Sequence, residues 1–173
     1  MLQVLQILLL SVFPAMVIVG GLKDVTSYTI PNWVSLVLIG GFFPAALALG
    51  LPLQVIGVSA AVGVAALFLA MGMFAMNWIG GGDAKMFAAA ALWLGWPAAP
   101  MFLIVTALAG GALAVSLLML RSVWLRPFMA RGPAWMGRLA TPDENTPYGV
   151  AIAIGALAAF PLSPPALAYA ALG

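Results

Sequence analysis

Charged residues are so scarce in this chain that they cannot cover a water-facing surface. Only 6% of the 173 residues are Asp, Glu, Lys or Arg, and 65% are hydrophobic, whereas a soluble domain carries about 25% charged residues. The mean hydropathy is +1.19. Lipid must therefore be the solvent for most of the surface, and we expect one all-α transmembrane domain over residues 1–173.

Six apolar runs are separated by glycine, proline or charged residues, which predicts about six transmembrane helices. The first run has no basic start and no small-residue cleavage site, so we expect it to be retained as a span. The fourth run would be only about 20 Å long as a helix, whereas the hydrocarbon core is about 30 Å thick. Either the preceding glycines extend this helix, or a protein-lined cavity reduces the thickness that it must cross. Prolines at 161, 164 and 165 are expected to bend or end the last run. The predicted runs are 2–22, 33–51, 54–79, 84–96, 99–120 and 148–171.

The basic residues all follow the first, third or fifth run. The intervening links carry no Lys or Arg, so the positive-inside rule makes the charged side cytoplasmic and puts both termini outside. The cytoplasmic side then holds Asp24 and Asp83, and also Asp143 and Glu144. Between 121 and 147, arginines mix with Trp, Phe and Met, which suits a topology anchor in the headgroup layer or a contact surface for a partner. The basic residues are Lys23, Lys85, Arg121, Arg126, Arg131 and Arg138.

The chain contains no histidine and no cysteine. This composition excludes disulfides, thiolate metal sites and triads of the Ser-His type. Proton chemistry is left to carboxylates, lysine and tyrosine, and we expect neither a metal nor a cofactor. A net charge of +2 is too small to indicate a nucleic-acid partner.

Two aspartates, Asp24 and Asp83, stand beside apolar spans, where ionisable groups are costly and are candidate functional residues. Two neighbouring carboxyl groups do not both ionise easily, so they share a proton. The ionised group can take a proton from water while the protonated one assists the peptide carbonyl and the leaving amine, as in aspartic proteases.

Other interpretations of these acids stay open from the residues alone. Asp24 fits a loop residue, and Asp83 fits a helix N-cap. Paired membrane carboxylates also serve proton- or cation-coupled transporters, and both acids would be dispensable in a non-catalytic assembly subunit. Asp143 and Glu144 have the pattern of a solvated turn.

Glycine occupies the three positions before Asp83. Without a Cβ atom, Gly80, Gly81 and Gly82 would let an extended substrate strand approach the carboxylate, and the alternative is an ordinary loop. Lys85 follows closely and is either a topology charge, a ligand for a lipid headgroup or a residue that keeps a carboxylate ionised.

Two further segments lie at predicted span entrances on the same side. Pro31 and Asn32 suit the cap of the second span. Tyr148, within Pro147-Tyr148-Gly149, suits an interface anchor or a residue that lines the site.

Taken in order, these segments resemble the type IV prepilin peptidases. That family's pattern has an aspartate six residues before Ile-Pro-Asn and, further on, Gly-x-Gly-Asp-x-Lys, and a later Pro-Tyr-Gly segment is also similar. Here they stand as Asp24-Val-Thr-Ser-Tyr-Thr-Ile30-Pro31-Asn32 and Gly80-Gly81-Gly82-Asp83-Ala84-Lys85. The resemblance spans most of the chain. It departs at 25–29, where family members often carry arginines.

The resemblance implies an enzyme of the bacterial inner membrane that removes the short leader of prepilin-like or pseudopilin precursors at the cytoplasmic boundary. It implies that Asp24 and Asp83 are the catalytic pair. The cysteine-rich methyltransferase region of the large family members has no counterpart, so the chain is similar to the short, peptidase-only form of Tad/Flp pilus systems.

Overall fold

A computed structural model of the chain describes residues 1–122, 141 and 146–172. These residues are organised entirely around helices, as predicted. The sequence predictions for Asp143, Glu144 and the arginines at 126, 131 and 138 fall outside the described residues. The elements are α1 (Leu2–Ser27), α2 (Asn32–Ala48), α3 (Leu53–Ala75), α4 (Gly81–Leu120), α5 (Tyr148–Ala159), the 3-10 helix η1 (Phe160–Leu162) and α6 (Pro164–Ala170).

Apolar surface dominates the outside of this bundle. By length and composition, α1, α3 and α4 can each cross a membrane, and α5 with η1 and α6 forms a bent fourth candidate within the described part of the chain. Large side chains such as Leu8, Phe68 and Leu118 are exposed along these helices. Such a surface is stable against acyl chains and not against water.

The long helix α4 folds back on itself at Gly95. Its φ of 58° and ψ of −170° belong to a region that is essentially restricted to glycine. In an uninterrupted helix Phe87 and Phe102 would lie roughly 22 Å apart, yet their rings stack with centroids 4.8 Å apart. Residues 81–94 and 96–120 are therefore two arms of a hairpin, as the separate fourth and fifth runs of the sequence suggested.

Trp93 joins several elements at the centre of the bundle. It is fully buried, and its indole N–H donates a 2.7 Å hydrogen bond to the carbonyl oxygen of Leu38 on α2. Its ring lies 5.5 Å from that of Phe13 on α1 and 5.8 Å from that of Phe42 on α2. The first arm of α4, which carries Asp83, is thus fixed against α1 and α2.

Helix boundaries differ from the sequence prediction at the first span. The apolar pattern predicts a span that ends near residue 22, with Lys23 and Asp24 in a polar link, but α1 continues to Ser27. No glycine or proline interrupts this turn, and the hydroxyls of Thr26 and Ser27 bond to carbonyls one turn earlier. Asp24 is therefore held on a helix and not on a loop.

The other helix boundaries lie close to the glycine and proline residues that predicted them. The glycine segment does extend the fourth run, because α4 begins at Gly81. The last run bends at its prolines: α5 gives way to η1, and α6 restarts at Pro164 with a bend of 40°.

Candidate active site

Asp24 lies near the end of α1 and is only 5% exposed. Its Oδ2 accepts a 2.6 Å hydrogen bond from the backbone N–H of Gly149, in the first turn of α5. A Cβ atom on Gly149 would lie 2.8 Å from the Cβ of Asp24 and 2.8 Å from Cδ1 of Ile30. Glycine is therefore the residue that lets the α5 backbone reach this carboxyl group.

Asp83 lies in the first turn of α4 and is also 5% exposed. Its Oδ2 accepts a 3.1 Å hydrogen bond from the Gly80 N–H, and Gly80 is the N-cap residue of α4. The alternative that made Asp83 itself the N-cap is therefore wrong. Its Oδ1 is buried and has no hydrogen-bond partner among the described residues.

The two carboxyl groups face one cavity of about 270 Å³. They are close enough to repel each other when both are ionised. A partly enclosed space beside two carboxyl groups can hold water and a peptide bond. The cavity is lined by Asp24, Tyr28, Phe74, Asn77, Trp78, Ile79, Gly80, Asp83, Thr146 and Tyr148.

Two residues of this cavity have unusual backbone conformations. Tyr28 and Asn77 have φ of 54° and 58°, and in the described part of the chain they are the non-glycine residues with positive φ. Asparagine tolerates this region, whereas a tyrosine there is uncommon and costs conformational energy. Tyr28 ends α1, so this conformation turns the chain from Asp24 toward Ile30.

The three glycines before Asp83 have different surroundings. Gly80 lines the cavity, and Gly81 lies against the ring of Phe74. A Cβ on Gly82 would lie 3.2 Å from the backbone N and O of Ile30. The close approach to the Ile30 backbone therefore explains why residue 82 is a glycine. Of the three glycines, only Gly80 borders the cavity that a substrate could enter.

Lys85, Asn32 and Pro31 lie away from this cavity. Pro31 is the N-cap residue of α2, as expected. Lys85 Nζ donates a 2.9 Å hydrogen bond to Asn32 Oδ1, and both residues line a separate groove between α2 and α3. The structure thus brings Asp24, Asp83, Gly80 and Tyr148 together at the cavity. The hydrogen bond between Lys85 and Asn32 instead joins the first arm of α4 to α2.

Sequence reasoning missed several residues of the site. Gly149 was noted only as part of Pro147-Tyr148-Gly149, and that motif was the available signal. Tyr28, Asn77 and Trp78 were not singled out. Asn77 directly follows an apolar run and precedes the glycine segment, so its turn-forming character was a usable signal.

The sequence was compared with known protein families, curated proteins and solved structures. The sequence matches the type IV leader peptidase family over residues 11–115, which is more than half of the chain. This match includes Asp24, Ile30-Pro31-Asn32 and the segment from Gly80 to Lys85. The chain belongs to the type IV leader peptidase family. No curated protein and no solved structure gives a match.

Membership decides between the interpretations that the sequence left open. The peptidases of this family are aspartic enzymes of the inner membrane, and their substrates are type IV prepilins. This peptidase is therefore a prepilin leader peptidase, as the motifs predicted. The transporter and the non-catalytic subunit are set aside.

Proposed function

We propose that this leader peptidase cleaves prepilin and pseudopilin precursors at the cytoplasmic face of the inner membrane, with Asp24 and Asp83 as its catalytic pair. The observation that carries the proposal is the shared cavity, in which two buried carboxyl groups from α1 and α4 face the same space. Gly80 and Tyr148 border that space and shape the entry of the substrate.

The reaction proceeds by general acid–base chemistry. The ionised carboxyl group takes a proton from water, and the oxygen of that water adds to the scissile carbonyl carbon. The protonated carboxyl group gives its proton to the carbonyl oxygen. Collapse of the tetrahedral diol breaks the C–N bond, and the leaving nitrogen takes a proton from the carboxyl group that received one from water. One hydroxyl of the diol returns its proton to the other carboxyl group, which restores the starting protonation of the pair.

The surroundings of the two acids suggest their roles. A hydrogen bond from a backbone N–H stabilises a carboxylate, and the Gly149 N–H approaches Asp24 at 2.6 Å. The buried Oδ1 of Asp83 has no partner among the described residues, so a proton on that oxygen would be available to the substrate carbonyl. We assign the ionised role to Asp24 and the protonated role to Asp83.

We also propose six membrane crossings with both termini outside. The hairpin at Gly95 supports two crossings within α4, and α2 supplies a further short apolar helix of 17 residues. Helices α5 and α6 together supply the last membrane crossing. With this count Lys23, Lys85 and Arg121 lie at the cytoplasmic ends, as the positive-inside rule requires.

Cleavage of a prepilin by purified protein in detergent tests the catalytic assignment. Asp24→Asn and Asp83→Asn keep the side-chain shape but remove the carboxyl group, so each variant should lose at least about 10³-fold in rate. Asp143→Asn is the matched control and should keep wild-type cleavage. Normal processing by either catalytic variant, in protein that is inserted and folded, would refute the assignment.

A further inference from the structure

A groove of about 670 Å³ lies between α2 and α3, with the first arm of α4 as its floor. Asp83 borders the catalytic cavity and Lys85 borders the groove, and two positions along a helix place them on nearly opposite faces of this arm. Helices α2 and α3 both pack against α4 but make few contacts with each other. The groove therefore opens toward the bilayer, and Leu36 and Val64 on its two walls are 66% and 53% exposed.

The polar residues of the groove lie at one end of it. Lys85, Asn32 and Ser35 line this end, whereas apolar residues continue the walls as far as Phe43 on α2 and Leu92 on α4. Lys85 is exposed, and its ammonium group bonds to an amide and to no carboxylate in the described part of the chain. The groove thus combines an apolar slot with one positive charge that no described carboxylate balances.

The polar end is rich in hydrogen-bond donors. A lysine ammonium has three donors, and the 2.9 Å bond from Lys85 to Asn32 Oδ1 uses one of them. The amide nitrogen of Asn32 adds two more donors. Helix α2 begins at Asn32 without a side-chain cap, so the unsatisfied N–H groups of its first turn place partial positive charge at the same end. This combination favours an anionic group with several oxygen atoms, such as a phosphate.

The length of the groove matches one leaflet of a bilayer. Its wall on α2 runs from Asn32 to Phe43, a distance of about 16 Å along a helix, and half of the hydrocarbon core is about 15 Å thick. A transmembrane helix of a partner would need a surface about 30 Å long. The dimensions therefore fit an acyl chain of one leaflet and not a helix that crosses the membrane.

We propose that this groove binds one anionic phospholipid, with the phosphate at Lys85 and Asn32 and an acyl chain between α2 and α3. The tail alone gives little selectivity, because the surrounding bilayer is equally apolar. The charged end therefore decides which lipid binds, while the acyl chain fills the gap between two helices that scarcely contact each other. A lipid bound in this way stabilises the fold. The site goes beyond the peptidase activity and does not depend on the catalytic assignment.

Thermal unfolding of the delipidated protein in detergent tests the charged end of the groove. Phosphatidylglycerol in large excess should raise the midpoint by roughly 5 °C, and zwitterionic phosphatidylethanolamine with the same acyl chains should raise it much less. Lys85→Gln keeps a polar side chain that can bond to Asn32 but removes the charge, so it should lose the difference between the two lipids. Lys23 is exposed and lies outside the groove, so Lys23→Gln is the matched control and should keep the difference.

Native mass spectrometry with added phosphatidylglycerol tests the apolar part. Wild type should retain one lipid, and Ala60→Leu, which fills the groove, should lose it. Ala61 is exposed and lies outside the groove, so Ala61→Leu should retain the lipid. The proposal is refuted if both lipids stabilise wild type equally, if Lys85→Gln keeps the preference, or if Ala60→Leu still holds the lipid. Displacement of the lipid by a peptide with the apolar segment of a prepilin would assign the groove to the substrate and would also overturn the proposal.

Discussion

The backbone N–H of Gly149 donates a hydrogen bond to Oδ2 of Asp24, although 125 residues separate them in the chain. The bond ties the start of α5 to the end of α1. It also fixes one carboxyl oxygen of Asp24 and leaves the rest of the group facing the cavity. Because Ile30 and Asp24 both crowd Gly149, this contact depends on a residue without a side chain.

Gly149→Ala is expected to slow cleavage by displacing α5 from Asp24. The new Cβ would lie 2.8 Å from the Cβ of Asp24, so α5 must shift and the hydrogen bond to Asp24 must lengthen. A misplacement of about 1 Å costs about 10²-fold in rate, which prepilin cleavage in detergent would measure. Gly57→Ala, where the Cβ meets nothing within 4 Å, is the control. Equal activity of the two variants would contradict this role of Gly149.

The sequence was sufficient to predict the helical membrane class, the approximate spans and the two acids that face the cavity. Each of these depends on local composition or on a short motif. The contact of Gly149 with Asp24 could not be predicted, because it depends on how α1 and α5 pack. The same applies to Lys85, which bonds to Asn32 and to no carboxylate in the part of the chain that the structure describes. The polar residues from Lys23 onward suggest the end of the span, whereas α1 continues through Asp24 to Ser27, because a helix can extend beyond the apolar part of its sequence.

Gly95→Ala is expected to destabilise the hairpin of α4. The φ of 58° and ψ of −170° are strained for alanine, at about 1–3 kcal/mol. In addition, the new Cβ would lie 2.8 Å from Ser59 Oγ and 3.1 Å from Pro164 Cγ. Thermal unfolding in detergent should show a lower midpoint for Gly95→Ala than for Gly57→Ala. An unchanged midpoint would mean that the fold tolerates a side chain at the hairpin bend.

Trp93→Phe should destabilise the bundle through the loss of one buried hydrogen bond. The variant keeps an aromatic ring but removes the indole N–H that donates to the Leu38 carbonyl at 2.7 Å. We expect a loss of about 1–3 kcal/mol, together with the cost of a smaller ring in a close-packed core. Trp96→Phe is the matched control, because Trp96 is 67% exposed and should change stability by less than about 0.5 kcal/mol. Equal midpoints for the two variants would contradict a central role for Trp93.

Single cysteines can report the proposed topology, because the natural chain contains none. Ser27 is exposed at the end of α1, next to the catalytic cavity, and Leu53 is 82% exposed at the start of α3. If the cavity faces the cytoplasm, Ser27→Cys should react with a membrane-impermeant maleimide only in inside-out vesicles. Leu53→Cys should react in intact spheroplasts, because α2 crosses the membrane between the two sites. Labelling of both cysteines from the same side would show that α2 does not cross, and a reversed pattern would place the carboxyl pair at the outer face.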